Sequence, residues 1–352
     1  MGSEGGNDMF EGQAQLYRVL MNFVSSMGLK AAIELRIADI IQTHGQPITL
    51  SELLSALQID PVRSSFLYRL MRLLAHDGLF EKSKVKGEEA YDLTPCSRLL
   101  LKNQVPSLVS SVQLMFDPAL TQPYQVLGEW LLRKDDVRVT HFEAVFGKGF
   151  WEYGSENPEF AKLFNESMGS DSEMMNLVLK DCKHVFEGVN SLVDGGGGVG
   201  ETARIISNQF PNIKCTVVDL PHVVSGLKES ENVKFLGGDM RQHIPSADVV
   251  LFKNVLHTFN DEDCVEILKK ARKAISGKGK DGKVILIDVV INEKKDTYEL
   301  TGTKIYFDLL MMVSTHGRDR EEKEWNKIFK EAGFSHYDIA HFGVRSLLQV
   351  YP

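Results

Sequence analysis

The sequence has few cysteines, no long apolar run and no excess of positive charge, and each shortage argues against a class of protein. Its 352 residues include four cysteines, and none has the spacing typical of a metal site or a disulfide framework. We therefore expect free thiols in a reducing, cytoplasmic environment, and no metal cofactor. No apolar run is long enough to span a bilayer, and the acidic, glycine-rich start is unlike a signal peptide. The formal net charge of −8 argues against general affinity for nucleic acid.

The length favours two domains, and the first third of the chain has the periodicity of helices. Apolar residues at helical spacing predict one helix over residues 10–27 and another over 29–43. Residues 79–81 and 90–93 flank a charged turn and predict a short hairpin. Helices followed by such a wing predict an N-terminal winged-helix domain, which we place at residues 1–108.

A winged helix can bind DNA, but the charge pattern here argues against that function. Residues 49–101 contain seven basic and seven acidic side chains, so no basic face is available for phosphates. The helix predicted over residues 10–27 instead carries an apolar stripe with no obvious mate in a small domain. This N-terminal stripe consists of Leu16, Val19, Leu20, Phe23 and Met27. We expect it to pack against a second copy of the chain in a homodimer.

Residues 109–352 are predicted to form a second domain, in which strands alternate with helices. Such alternation predicts an α/β fold with a Rossmann-like parallel sheet wrapped by helices. Ligands of such sheets bind at the carboxyl ends of the strands. The candidate strands cover residues 192–194, 215–219, 233–236, 249–255, 283–288 and 347–351.

The most informative segment of the sequence is the glycine-rich turn after the first of these strands. Gly195, Gly197 and Gly200 satisfy the G-x-G-x-x-G pattern, and Asp219 ends the next strand. Glycines let backbone N–H groups approach a ligand, and a carboxylate at the second strand end can bind ribose hydroxyls. The pattern predicts an adenosine-type cofactor. A nicotinamide dinucleotide also fits it, and a glycine-rich turn without a ligand is the third possibility.

Three further strand ends carry polar side chains. Asp239 and Met240 follow the third strand, where the carboxylate can accept from the amino group of adenine and the thioether can pack on the ring. His257 and Asp288 follow the fourth and fifth strands at the same edge of the sheet, and Asp319 lies in a later polar break. A histidine flanked by carboxylates is typical of a general base. A solvated histidine at a strand end is the alternative.

Together these segments resemble the plant S-adenosylmethionine-dependent O-methyltransferases, which methylate hydroxyls of flavonoids, isoflavonoids, stilbenes, phenylpropanoids and alkaloids. The resemblance covers nearly the whole chain, since further family-like segments lie outside the glycine-rich turn. It is carried by residues 192–200, 219–221, 238–240, 256–257 and 329–334, with 23–30, 68–72, 93–94, 149–151 and 168–172. It implies an N-terminal winged-helix dimerisation domain and a C-terminal methyltransferase domain, 109–352.

The resemblance also implies site residues. His257 would be the base, with Asp288 and Asp319 beside it. The residues that would hold S-adenosylmethionine are Gly196, Asp219, Leu220, Asp239, Met240 and Lys253. The residues that would line an apolar pocket for an aromatic substrate are Phe116, Trp151, Phe164, Met168, Asn254, Thr258, Met311 and Met312. For any one of these aromatic and methionine side chains, ordinary core packing is an equal alternative.

The sequence departs from the family pattern at Gly195, Val199, Arg241, Asn254, Thr258 and Asp319. Thr258 replaces a carboxylate that could hold a substrate hydroxyl. Asp319 is one methylene shorter than the usual glutamate, so we expect it to reach His257 only if its loop lies closer. A protein that keeps the fold and the cofactor but does not methylate, either another catalyst or an inactive partner subunit, is therefore the second hypothesis. A nicotinamide oxidoreductase is the third.

Overall fold

The computed structural model of the protein describes residues 4–134, 139–277 and 282–352. The chain divides into two compact units, Met1–Phe116 and Asp117–Pro352. The boundary expected between residues 108 and 109 lies one short helix before this division. No helix in the described ranges combines the length and the apolar character needed to cross a bilayer.

The N-terminal unit contains helices and a small antiparallel sheet. Its strands are β1 (Ile48–Thr49), β2 (Phe80–Val85) and β3 (Glu88–Leu93), in the order β1-β3-β2. Its helices are α1 (Glu4–Glu34), α2 (Ile37–His44), α3 (Leu50–Ala56), α4 (Ser64–His76), α5 (Pro95–Arg98) and α6 (Val109–Met115), with a 3-10 turn at Pro61–Arg63. The hairpin of β2 and β3 follows the helices as a wing, so the predicted winged helix is confirmed.

The first helix is longer than predicted. The break expected after residue 27 is wrong, because α1 runs through Gly28, whose added Cβ would lie 3.3 Å from a methyl group of Leu73 on α4. The glycine therefore serves close packing between helices. The chain breaks instead at Arg36, which adopts a left-handed φ of 55° before α2 begins.

The N-terminal unit buries one face of its helices and leaves the N-terminal stripe outside. Leu53, Met71 and Leu74 lie in its core with Phe80 of the wing. The five stripe residues of α1 are 50–65% exposed in this chain. An apolar row of this length on one helix is more than the scattered apolar exposure that a monomer surface usually shows.

The C-terminal unit is built on a mixed sheet. Its strands are β4 (Ser191–Gly195), β5 (Lys214–Asp219), β6 (Val233–Gly237), β7 (Val249–Lys253), β8 (Lys283–Ile291), β9 (Arg320–Glu321), β10 (His336–Phe342) and β11 (Arg345–Tyr351). Within the described residues the order is β10-β11-β8-β7-β4-β5-β6, with β9 beside β8. Strands β4 to β8 pair in parallel, and β10 and β11 add an antiparallel edge. The predicted α/β fold with a largely parallel sheet is confirmed.

Helices pack on both faces of this sheet. The helices of the unit are α7 (Pro118–Thr121), α8 (Leu127–Leu132), α9 (His141–Phe146), α10 (Phe150–Glu156), α11 (Pro158–Ser172), α12 (Met175–Asp181), α13 (Glu201–Gln209), α14 (Pro221–Val224), α15 (Asp261–Ile275), α16 (Tyr298–Ser314) and α17 (Glu322–Glu331), with 3-10 turns at Gln122–Val126, Lys183–Phe186 and Leu256–Thr258. One core layer joins the sheet to α15 and α17, and the other joins it to α12 and α13. Burial on both faces explains why the central strands are almost continuously apolar.

Two strand boundaries differ from the prediction in ways that affect the site. Strand β7 ends at Lys253, so His257 lies in the short 3-10 turn that follows it. Strand β8 continues to Ile291, so Asp288 lies inside a strand and not at its end. Aspartate is uncommon inside an apolar strand, so the sequence pattern placed the end of the strand at this residue.

The sheet supplies a reason for Gly195, one of the departures from the family pattern. A Cβ at this position would lie 2.6 Å from Cε1 of Phe252, a buried ring on the neighbouring strand β7. The aromatic ring therefore occupies the space that a larger residue at 195 would need.

We expect Gly195→Ala to lower the free energy of unfolding by about 1–3 kcal/mol, because overpacking forces buried groups off their preferred positions. Adding Phe252→Leu should recover part of this loss, so the two changes should not be additive. Urea unfolding measures both. Gly128→Ala in α8, where nothing lies within 4 Å of the added Cβ, is the control and should not destabilise. Unchanged stability of Gly195→Ala would contradict the packing argument.

Candidate active site

The turn after β4 needs glycine at two positions. Gly196 and Gly200 have φ values of 70° and 80°, which L side chains rarely adopt. An added Cβ at Gly196 would lie 2.8 Å from a methyl of Val255, and one at Gly200 would lie 2.8 Å from the ring of Phe235. The turn therefore combines a left-handed backbone with close packing. It forms a backbone-lined cradle above the carboxyl ends of the strands.

Asp219 stands beside this turn at the end of β5. Its Oδ2 accepts from the backbone N–H of Gly198 at 2.7 Å, and its Oδ1 accepts from the N–H of Leu220 at 2.7 Å. Burial raises the pKa of this carboxyl, although both backbone hydrogen bonds favour its charged form. Each carboxylate oxygen can accept a further hydrogen bond, so the fixed carboxylate is suited to a pair of ligand hydroxyls.

Asp239, after β6, is held by Arg241, another of the departures. The Arg241 guanidinium donates to both carboxylate oxygens, with Nε 3.1 Å from each and Nη2 2.9 Å from Oδ2. Burial raises the pKa of Asp239, but the Arg241 hydrogen bonds and charge outweigh this effect and lower it. Asp239 is thus kept charged while much of its accepting capacity is occupied.

A cavity of about 340 Å³ opens above the glycine turn within the C-terminal unit. All six residues expected to hold the cofactor line it: Gly196, Asp219, Leu220, Asp239, Met240 and Lys253. So do five of the expected substrate residues: Trp151, Phe164, Met168, Asn254 and Thr258. Met311 and Met312 lie on α16 and are not part of this lining, and Phe116 belongs to the N-terminal unit. The structure therefore gathers most of the predicted cofactor and substrate residues at one place, whereas the three predicted catalytic residues, His257, Asp288 and Asp319, are not part of this lining.

Aromatic rings from α10 and α11 form one wall of the cavity. Trp151 and Phe164 meet edge to face with their centroids 5.7 Å apart. Phe150 and Phe160 belong to the same cluster, and their rings also meet edge to face. The prediction omitted these last two, which line the cavity as well. A wall of this kind suits the flat face of an aromatic ligand.

His257 is buried between two carboxylates. Its Nδ1 lies 3.0 Å from Oδ1 of Asp319 and 3.3 Å from Oδ1 of Asp288. The His257 backbone N–H also donates to Oδ2 of Asp288 at 3.2 Å. The exposed fraction of the side chain is 6% for His257, 0% for Asp319 and 1% for Asp288. The structure thus brings together the three residues that the sequence suggested for acid–base chemistry.

The two carboxylates determine the protonation of the ring. Because a carboxylate only accepts, Nδ1 carries the proton and Nε2 has the free lone pair. Burial lowers the pKa of the His257 imidazole, but the Asp288 charge and the Asp319 hydrogen bond outweigh burial and raise it above its ordinary value. Nε2 is therefore a stronger base than in a solvated histidine. The hydrogen bond between His257 and Asp319 accounts for the short distances among the side chains of His257, Asp288 and Asp319. We assign no metal to these three residues.

The shorter acid at position 319 does reach His257. The sequence predicted that this would require a closer loop. The Asp319 backbone is held in place, since its N–H donates to Oδ1 of Asp308 on α16 at 2.9 Å. Within the described part of the chain, the buried Oδ2 of the same carboxylate has no hydrogen-bond partner. Its contact with His257 is therefore made through Oδ1.

Lys253 has a partner that the sequence did not suggest. Its Nζ lies 2.5 Å from Oδ2 of Asp171, at the end of α11, and only 8% of the lysine side chain is exposed. Asn254 donates to the same oxygen at 2.9 Å, and its left-handed φ of 54° turns the chain after β7. Arg345 of β11 adds a second cation, 3.7 Å from Oδ1 of Asp171. Burial raises the pKa of Asp171, but these two cations outweigh it and hold the pKa well below its usual range.

Another buried acid lies beneath the glycine turn. Asp194, the next-to-last residue of β4, lines the cavity, and its Oδ2 has no hydrogen-bond partner among the described residues. Burial raises its pKa to about 7, against the effect of the Lys253 charge. The sequence showed this acid before the glycines without giving it a role. Asp171 had no signal beyond its place in a family-like segment.

Comparison with known protein families identifies two domains in this chain. Residues 17–103 match the O-methyltransferase dimerisation domain, and residues 124–335 match the O-methyltransferase domain. The chain is 46% identical to an isoflavone 7-O-methyltransferase of Glycyrrhiza echinata, with 98% of this chain and 97% of that protein covered. It is 45% identical to a trans-resveratrol di-O-methyltransferase of Vitis vinifera, over 98% and 97% of the two chains.

Solved structures share the fold at lower identity. CalO1, a methyltransferase of calicheamicin biosynthesis in its SAH-bound form, superimposes with a TM-score of 0.80 at 23% identity, covering 97% of this chain and 98% of that one. Human N-acetylserotonin methyltransferase in complex with SAM gives a TM-score of 0.76 at 19% identity, with 97% of each chain covered. These similarities confirm the architecture of both units.

Proposed function

This chain belongs to the O-methyltransferase family, and on that premise we propose that it methylates a hydroxyl of a plant aromatic small molecule with His257 as the general base. It is an S-adenosylmethionine-dependent enzyme. The observation that carries the proposed mechanism is the buried imidazole whose Nδ1 faces two carboxylates at 3.0 and 3.3 Å. That arrangement leaves Nε2 as the atom that accepts a proton.

The cavity has the groups that an adenosine-type cofactor requires. The glycine turn offers close backbone approach, Asp219 would hold the ribose hydroxyls, and Asp239 and Met240 would bind the adenine. Leu220 and Lys253 complete the proposed contacts, with Gly196 in the turn. When bound, the cofactor supplies a sulfonium methyl group that is open to in-line attack. Proximity and alignment of the acceptor oxygen then contribute most of the rate.

His257 would activate the acceptor hydroxyl. A phenol has a pKa of about 10, so at neutral pH it is a weak nucleophile until it loses its proton. Nε2 would take that proton as the acceptor oxygen attacks the methyl group that the cofactor would supply. The charges of Asp288 and Asp319 stabilise the imidazolium that results. Release of the proton to solvent then restores the neutral base.

The proposed acceptor is a planar aromatic molecule that carries a hydroxyl: an isoflavonoid, another phenolic or an alkaloid. The aromatic wall with Trp151 and Phe164 supports this class, as do the isoflavone and resveratrol methyltransferases among the plant relatives. Met168, Asn254 and Thr258 would contact the acceptor from the same cavity. Phe116, Met311 and Met312 remain proposed substrate contacts on the resemblance alone.

A second candidate function is favoured by one observation. Arg241 already occupies Asp239 through both carboxylate oxygens, which reduces what Asp239 can offer to an adenine amino group. A chain with this feature could bind the cofactor without methylating, as another catalyst or as an inactive partner subunit. The family assignment displaces the nicotinamide oxidoreductase of the third hypothesis.

We further propose a homodimer that buries the N-terminal stripe. The dimerisation domain matched at residues 17–103 supports association, and the exposure of the stripe indicates where it occurs. We propose a cytoplasmic location, because the four cysteines are free.

We expect Asp219→Ala to weaken S-adenosylmethionine binding by about 1–3 kcal/mol, which corresponds to the loss of hydrogen bonds to a charged group. The affinity of Asp219→Asn, which keeps the shape of the side chain without its charge, should lie between those of Asp219→Ala and the wild type. Isothermal titration calorimetry measures all three affinities. Equal affinities for the wild type and Asp219→Ala would refute the ribose assignment.

We expect His257→Ala to lower kcat by on the order of 10²–10⁴ while cofactor affinity changes little, since the base acts only in the transfer step. Because the neutral ring is the base, kcat/KM of the wild type should fall as pH drops through a pKa above the ordinary 6.5. His243→Ala, at an exposed histidine, is the control.

A screen of aromatic hydroxyl compounds with labelled S-adenosylmethionine supplies the acceptor for these assays. Full activity of His257→Ala would remove the base from the mechanism and leave the family assignment standing. If the wild type binds the cofactor but methylates no phenol in a broad screen, the non-methylating candidate takes its place.

We expect Leu20→Asp combined with Phe23→Asp to convert the dimer to monomer, because the two charges would be buried without partners in the interface. Light scattering at micromolar concentration measures the mass. Leu132→Asp, at an 81% exposed position on α8, is the control and should remain dimeric. A monodisperse monomer of the unaltered chain would disprove the dimer.

A further inference from the structure

His257 lies in a single short turn, which by itself does little to fix the position of the residue. The 3-10 turn Leu256–Thr258, here called the base turn, has three residues and no side-chain cap. A turn this short leaves most of its backbone groups without intrahelical partners. Its position must therefore be set by what packs on it. The segment 315–319, which follows α16 and carries Asp319, packs on it directly and is called the bracket loop here; Arg320, at the start of β9, comes next.

Gly317 of the bracket loop lies against the backbone of the base turn. A Cβ at this position would lie 1.9 Å from the carbonyl oxygen of His257 and 2.6 Å from Cα of Thr258. Both are backbone atoms, so no side-chain rotation can relieve the overlap. Gly317 is buried, and its N–H donates to Oγ1 of Thr315 within the same loop at 3.1 Å. The absence of a side chain at 317 therefore determines how closely the loop approaches the base.

Arg320 holds the base turn from both ends. Its fully buried guanidinium donates through Nη2 to the carbonyl of Phe259 at 2.8 Å and through Nη1 to the carbonyl of Leu256 at 3.4 Å. Its Nε donates to Oδ1 of Asp261 at 2.9 Å, and its Cζ lies 4.9 Å from the centre of the Trp325 ring. The two carbonyls flank His257 in the chain. A planar fork with several fixed donors is the group that can span them.

Asp319 stands between these two contacts and is the acid that meets Nδ1 at 3.0 Å. Its side chain is short, so it reaches the imidazole because the loop backbone lies directly against the base turn. Close approach of the loop and the length of the acid are therefore matched. A longer acid would need a more distant loop.

We propose that Gly317 and Arg320 are positioning residues for the base: they set the separation between the bracket loop and the base turn at which an aspartate at 319 can orient His257. This inference rests on the proposed function for its kinetic consequences, while the geometry at His257 can be measured without any substrate.

The test uses the full-length chain with Gly317→Ala, Asp319→Glu and the double variant. Gly317→Ala should push the loop outward, lengthen the contact between Asp319 and Nδ1, and lower kcat by about 10- to 100-fold with a smaller change in KM, since small misplacements of a reacting group have effects of this size. Asp319→Glu alone should also lower kcat, because the longer acid does not fit the close loop. The double variant should recover at least several-fold of the activity lost in Gly317→Ala.

Gly302→Ala on α16 is the matched control, because no atom lies within 4 Å of its added Cβ. It should keep the wild-type kcat. The proposal would be overturned if the fold-loss of kcat in the double variant equalled the product of the losses in the two single variants. A wild-type kcat in Gly317→Ala would overturn it as well.

An NMR titration of the His257 ring gives a readout that a merely structural role would not move. Its pKa should fall in Gly317→Ala, because the Asp319 hydrogen bond is weakened, and rise again in the double variant. If the wild type methylates no acceptor, the proposed function fails, yet this titration still decides the positioning role. An unchanged His257 titration in all three variants would overturn the inference even in an active enzyme.

Arg320→Lys keeps the test decisive if Gly317→Ala fails to fold. Lysine retains the buried charge and loses the fork that spans the two carbonyls, so kcat and the His257 pKa should both fall. Arg318→Lys is its control, since the side chain of Arg318 is 44% exposed and pairs with Glu324. Equal kinetics and titration for Arg320→Lys and the wild type would contradict the proposal.

Discussion

The hydrogen bond between His257 and Asp319 is the contact on which the rest of the site depends. Two carboxylates and an imidazole taken out of water are unfavourable unless each group has a partner of fixed geometry. Asp288 is fixed by its strand, and its carboxylate also accepts from the backbone of His257. Asp319 comes from a loop, so the loop must be held as firmly as a strand. Much of the surrounding structure serves this requirement.

The substrate wall and the sheet are joined by a different kind of contact. Asp171 ends the helix that carries Phe164, and Lys253 ends the strand that leads to His257. Their ion pair lies at the junction of the two elements, with Asn254 bonded to the same carboxylate. Removing one member of a buried pair leaves the other charge uncompensated. The position of the aromatic wall relative to the base is thus tied to an electrostatic contact as well as to packing.

The fold was largely predictable, because its signals are local. Helical periodicity, the hairpin and the glycine turn each mark their elements within a few residues. The errors came from contacts that are distant in sequence. Gly28 suggested a helix break because nothing nearby shows that Leu73 packs against it. Asp288 was placed at a strand end for the same reason, although the strand runs to Ile291.

The site was predictable in its residues and less so in their relations. The resemblance pointed to His257, Asp288 and Asp319, and the structure brings them together. It gave no indication that Lys253 pairs with Asp171 or that Arg320 holds the carbonyls around the base, because such pairings depend on which segments the fold brings into contact. The glycine at 317 is likewise required by a backbone 60 residues earlier in the chain.

Asp194 gives the cavity a property beyond its shape. Burial raises the pKa of this carboxyl to about 7, so the cavity floor holds a proton more tightly than an exposed aspartate would. A ligand that arrives with a positive charge favours the ionised form and expels that proton, whereas a neutral ligand allows it to return. Occupancy of the cavity is then linked to proton uptake and release. The heat of binding would accordingly vary with the ionisation enthalpy of the buffer.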